Sequence, residues 1–96
     1  MRNMEDNKID FFDNEFKQED WNSYFNCFKD IVLDDNMPLE LPEDVMKSLI
    51  GILGKESALK WINLGLKQFG GLSAIELSKN KKQLNALKAF IMRMPN

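Results

Sequence analysis

The side chains that ordinarily perform acid–base, nucleophilic or metal chemistry are scarce in this chain of 96 residues. It has no histidine, which removes the usual general base, the commonest metal ligand and every histidine-based triad. Its one cysteine, Cys27, cannot close an intramolecular disulfide or build a thiolate zinc site. Set among aromatics, it reads as a small buried hydrophobe in a reducing compartment. The acidic pairs Asp34-Asp35 and Glu43-Asp44 offer oxygen ligands, but the spacing of a calcium loop is missing. Loop solvation and helix capping account for them better. Gly70-Gly71 lacks both the lysine motif and the preceding strand of a phosphate loop, and reads as a helix terminator. No catalytic residue, metal or cofactor is therefore expected, and the chain reads as a non-enzyme.

Charge is unevenly spread. Residues 1–44 carry thirteen acids against four bases, and residues 45–96 carry two acids against nine bases. The nearly balanced total of −2 conceals two strongly charged halves. Such a split reports either a charged partner or two halves that meet each other, and mutual neutralisation is the simpler account. Lys79, Lys81, Lys82, Lys88 and Arg93 can form a basic patch around the last helix, which invites a nucleic-acid reading. Only one of the five is arginine, however, and base readout leans on arginine. The acidic, aromatic first half is also poor material for docking onto phosphate.

The elements that must position these residues are helical. Ile9, Phe12 and Phe16 recur at helical spacing, as do Trp21, Phe25, Phe28 and Val32. They predict a short helix near 9–17 and a longer one near 19–33, with Ile31-Val32-Leu33 a candidate brief strand. Two prolines in 34–42 mark a loop. Pro42, Glu43 and Asp44 suit a first helical turn, and Gly54 ends that helix. A further helix is expected from Lys55 to about Gln68. It is apolar on more than one face, through Ala58, Leu59, Trp61, Ile62, Leu64, Leu66 and Phe69, so it is either central or shared with a partner. Gly65 within it marks a bend or a close contact. Ser73 and Glu76 form a capping box, and Asn80 caps a last helix of about 81–94. The fold class is all-α, a small bundle of about five helices. Residues 1–41 form an acidic, aromatic-rich helical region and residues 42–96 a second helical region, the two making one cooperative unit.

No apolar run approaches the ~20 residues that span a bilayer. Met1-Arg2-Asn3-Met4-Glu5-Asp6 is acidic with no hydrophobic segment behind it, which is not the pattern of a secretory signal. A cytoplasmic protein with no membrane contact is expected.

Trp61-Ile62, Phe69-Gly70-Gly71, Ile75-Glu76-Leu77 and Ile91-Met92-Arg93-Met94 fall in one register without a gap. That register resembles the C-terminal toxin-binding domain of the ParS/MbcA/Xre-type antitoxins of bacterial toxin–antitoxin pairs. The family reads roughly W-L, a variable stretch, L-G-G, two residues, P-L-x-L-L, a spacer, then an apolar helix ending L-x-R-apolar. Ala74 stands where the family usually has proline and Gln83 where it often has glycine. The capping box makes Ala74 tolerable, because the helix start is already specified. The resemblance covers the second half of the chain. It implies a protein partner, a cognate RES-type toxin that consumes NAD, whose active site the C-terminal helices cover. Arg93 and its neighbours would then offer positive charge and hydrogen bonds into a pocket built for a dinucleotide phosphate.

On that reading Lys88, Met92, Arg93 and Met94 contact the partner, while Trp61, Phe69, Gly70, Gly71, Ser73 and Glu76 serve the fold. Methionine adapts well to irregular contact surfaces. Two alternatives belong to other classes. One is a free-standing inhibitor or adaptor, of phage or mobile-element type, that offers its acidic aromatic half to a basic site on a host protein. The other is a DNA-binding accessory protein. A homo-oligomer is compatible with each.

The composition generates one direct expectation. At physiological salt the isolated protein should bind duplex DNA no more tightly than ~10⁻⁴–10⁻⁶ M, the range of non-specific phosphate contacts, and binding should weaken steeply with salt. A gel shift that is sequence-specific at nanomolar protein would restore the DNA-binding reading.

Overall fold

The computed structural model describes residues 8–33 and 40–94. The Asp34-Asp35 pair, Pro38 and Pro95 lie outside those residues. Among the described residues six α-helices follow one another: α1 (Ile9–Glu15), α2 (Gln18–Asn26), α3 (Glu43–Leu53), α4 (Lys55–Trp61), α5 (Ala74–Leu77) and α6 (Lys81–Arg93). A 3₁₀ turn at Lys67–Phe69 lies between α4 and α5. The fold is all-α, with no strand among the described residues and one isolated antiparallel bridge, Leu66 to Leu72.

The boundaries follow local chemistry. Pro42 sits at the N-cap of α3, with Glu43 and Asp44 in its first turn, where the helix dipole favours negative charge. Gly54, at φ 88°, stops α3 and turns the chain directly into α4, a conformation that glycine adopts without steric cost. The Ser73 hydroxyl accepts the Glu76 amide at 3.2 Å, while the Ser73 amide donates to Glu76 Oε1 at 2.8 Å. Asn80 Oδ1 accepts the Gln83 amide at 3.1 Å and starts α6.

Two expected helices are shorter than their periodicity implies. α2 stops at Asn26 rather than near residue 33, and Ile31-Val32-Leu33 forms neither helix nor strand. Tight bonds from the Cys27 amide to the Tyr24 carbonyl and from the Phe28 amide to the Phe25 carbonyl close the chain into a turn. That turn seats Phe28 on α3, where its ring lies so close to Gly51 that a Cβ there would overlap it. In consequence Val32 leaves the apolar stripe and is 85% exposed. Cys27, expected to be buried, is exposed at the helix end.

α4 likewise ends at Trp61 instead of continuing to Gln68. The chain folds back so that the Leu66 amide donates to the Leu72 carbonyl at 2.9 Å. A Cβ on Gly65 would stand 2.5 Å from the Gly71 carbonyl oxygen, so the reversal requires glycine at that position. The close contact anticipated for Gly65 thus exists, at the cost of the helix itself.

The central element is α6, not the helix expected over 55–68. Ala86, Leu87, Lys88, Ala89 and Ile91 are all buried, more than one stripe of a helix that faces a single neighbour. α1 makes its most extensive packing against α6, with α2 and α5 also on it. Phe12 of α1 meets Phe69 and Phe90 with ring centroids 5.5 and 5.4 Å away, and Phe69 and Phe90 lie 5.4 Å apart. Such offset and edge-to-face pairs add to plain area burial. One hydrophobic cluster therefore contains Ile9, Phe12 and Trp21 from the acidic segment together with Val45, Leu49, Leu77, Leu87 and Ile91.

Removal of residues 1–41 should strip α6 of its cover and leave a fragment that aggregates or melts at much lower temperature. A fragment as stable as the full chain would show the halves to be independent. Trp21→Ala, at a residue only 1% exposed, should cost ~3–5 kcal/mol. Trp61→Ala should cost less in the same melting experiment, because Trp61 is only half-buried.

Candidate protein-binding site

The residues assigned to partner contact from the sequence separate into two groups. Lys88 is in the interior, with a side chain only 11% exposed. It lies one helical turn from Leu84 and from Ile91, squarely on the apolar stripe of α6. Its ammonium stands 3.6 Å from Asp44 Oδ2 and over the rings of Trp21 and Phe16, at 5.4 and 5.8 Å from their centroids. The same Asp44 oxygen accepts a 2.8 Å bond from Trp21 Nε1, and its other oxygen accepts the Val45 amide at 2.9 Å. Lys88 therefore joins α6 to α2 and α3 and does not present its charge to a partner. The missed signal was positional, since a lysine at stripe spacing is either buried with a counter-ion or out of place.

Arg93, Met94 and, in part, Met92 are at the surface. The Arg93 side chain is 53% exposed. Its Nη1 donates to Glu15 Oε1 at 3.0 Å, and its guanidinium lies 5.7 Å from the centroid of the Phe11 ring. Met92 and Met94 are half-buried against the core cluster. Phe12, Gln68, Phe90, Arg93 and Met94 line an open depression of about 370 Å³ at this end of the bundle. Trp61 stacks on Phe90 at 6.4 Å with the rings 17° apart, and supports one wall of the site. Phe11, 49% exposed, packs edge-on against Phe12 at 5.0 Å.

The residues assigned to the fold are close by. Phe69 is buried under the depression, and Gly70 and Gly71, at φ 67° and 90°, turn the chain behind it. Ser73 and Glu76 then fix the start of α5.

The basic patch expected around α6 is not a continuous surface. Lys82 pairs with Asp10, Lys88 with Asp44 and Arg93 with Glu15. The Asp10 carboxylate holds the Lys82 ammonium above the ordinary lysine range, chiefly through their hydrogen bond. Among the described residues no group of three or more histidine, cysteine or acidic side chains can hold a metal ion. Glu43 pairs with Lys47, and Asp44 accepts from Trp21 and stands beside Lys88. No helix among the described residues is long and apolar enough to cross a membrane.

No protein-family model matches the chain, and neither the curated proteins nor the solved structures contain a match to it.

Lys88 and Arg93 should respond oppositely to truncation. Lys88→Ala removes the cation beside a partly buried carboxylate and should cost ~2 kcal/mol or more of stability. Arg93→Ala breaks only an exposed pair and should stay within ~1 kcal/mol. Urea denaturation of the two variants measures both, and an equal loss would remove the distinction between a fold residue and a surface residue.

Proposed function

We propose that this chain is a non-enzymatic protein-binding module, an antitoxin that neutralises an NAD-consuming RES-type toxin by covering its active site. The register from Trp61 to Met94 supports the family reading. The observation that carries the binding reading is the end of α6. There exposed Arg93 and half-buried Met94 line an open depression, and neither belongs to the buried cluster on which the fold rests. A half-exposed arginine beside aromatic and methionine side chains is the kind of anchor that protein interfaces concentrate. Lys88 has no part in the contact, and Met92 contributes through its exposed edge. An NAD-consuming target places the pair in the cytoplasm, and duplex DNA is not a partner of this chain alone.

A second reading has one observation in its favour. Asp10, Glu15 and Asp44 are committed to α6, but Glu19 and Asp20 of α2 and Asp30 beyond it are exposed. These exposed acids are groups with which an adaptor can occupy a basic site on a host protein.

Co-expression with a RES-type toxin distinguishes the two. The wild type should restore growth, and Arg93→Glu should lose rescue while its helicity and melting stay close to wild type. Removing a desolvated charge from the toxin interface in this way should weaken binding by ~2 kcal/mol or more. Full rescue by Arg93→Glu, with rescue lost in Glu19→Lys/Asp20→Lys, would transfer the binding surface to those acids.

A further inference from the structure

The depression at the end of α6 is lined by apolar side chains and one cation, Arg93. Phe12, Phe90 and Met94 supply the apolar groups, and Gln68 completes the lining. The Lys8 amide donates to the Gln68 carbonyl at 2.9 Å and Lys67 adjoins Gln68 in sequence, so two further lysines belong to the segments beside the depression without lining it. Lys8 and Lys67 are exposed, and neither has an ion-pair partner among the described residues. The acid that meets Arg93 is Glu15, through one carboxylate oxygen and one guanidinium nitrogen. A guanidinium can take a carboxylate with two parallel bonds, so this single bond leaves much of its capacity unused. At about 370 Å³ the depression is near the lower end for ligand pockets. Being open, it suits a side chain presented by a partner better than an engulfed small molecule.

We propose that this depression docks a protein segment carrying an apolar side chain beside carboxylates, and that Glu15 occupies Arg93 as an internal stand-in for the partner's carboxylate. The inference rests on the protein-binding reading above and specifies the chemistry of the partner. The apolar group enters between Phe12, Phe90 and Met94, while the carboxylate displaces Glu15 and takes the guanidinium in a two-bond contact. α1 stays docked during the exchange, because Phe12 and the Asp10–Lys82 pair hold it on α6 independently of Glu15. The cost of exchange is one exposed ion pair, which is small.

The test is selection of random displayed peptides on the immobilised full-length chain. Recovered peptides should place a large apolar residue next to aspartate or glutamate. Their affinity should fall about tenfold in Arg93→Glu and rise severalfold in Glu15→Gln, with circular dichroism confirming that both variants are folded. The charge-swapped double variant Glu15→Arg/Arg93→Glu retains an internal ion pair and should select basic peptides instead. That inversion separates recognition from a structural role of the pair, and it remains decisive if either single variant folds poorly. Basic peptides selected by the wild type, undiminished binding to Arg93→Glu, unchanged selection by the double variant or an empty selection would each overturn the proposal. Toxin rescue that depends on Arg93, together with any of those results, would leave the functional reading standing and defeat only this inference. Acidic apolar selection without toxin rescue would support the docking site and remove the antitoxin assignment.

Discussion

Helix α6 must be covered on more than one side, and the acidic N-terminal helices are what covers it. A single amphipathic helix can leave its polar face in water, but Ala86, Leu87, Lys88, Ala89 and Ile91 bury too much of the circumference of α6 for that. α1 closes one side through Phe12, wedged against Phe69 and Phe90. α2 closes another through Trp21, which is almost wholly buried. Three acids of the first half, Asp10, Glu15 and Asp44, meet bases of the second in this packing. Around an apolar contact that buries aromatic rings, the pairs Asp10–Lys82 and Glu15–Arg93 act at the rim, where ion pairs contribute little energy individually and mainly favour one orientation over others.

Among the described residues, charge enters the interior where Lys88 meets the partly buried Asp44. Asp44 receives Trp21 Nε1, the Val45 amide and the Lys88 ammonium, so three helices meet at one carboxylate. Taking an acid and a lysine partly out of water is costly unless each is paired and its remaining hydrogen-bonding capacity is met. Here the two charges are paired at 3.6 Å, Asp44 also accepts two hydrogen bonds, and the two rings under the ammonium add cation–π attraction. The cluster makes a specific demand on geometry, since any register of α2 or α6 other than the observed one would strand a charge. Ser48, fully buried nearby in sequence, has a hydroxyl with no hydrogen-bond partner among the described residues, and nothing in the packing explains it.

The result is a division of labour along α6. Its middle, with Lys88, is committed to holding the bundle together. Its C-terminal end, with exposed Arg93 and the half-buried Met94 that follows it, borders a surface that mixes rings, methionine and positive charge. A site on the end of a rigid, well-anchored helix is held more accurately than one on a loop. The Gly65–Gly71 reversal serves the same end, since it brings Phe69 beneath Phe90 and Gln68 to the depression.

Much of this was legible in one dimension. The all-α class, the stop at Gly54, the Ser73–Glu76 capping box and the Asn80 cap are determined by interactions within a few residues, which sequence spacing records directly, whereas Gly70-Gly71 close a 3₁₀ turn and not the long helix expected to reach them. The tertiary structure decided what depends on neighbours that helical periodicity does not register. α2 and α4 carry enough apolar residues to continue, but Phe28 finds its seat on Gly51 and Gly65 meets Gly71. Lys88 and Arg93 are both cations on one helix and look equivalent as letters. The stripe spacing of Lys88 leaves it either buried or out of place, and the placement of Asp44 beside it decides for burial, because a charge is buried only where the folded chain delivers a counter-ion to it.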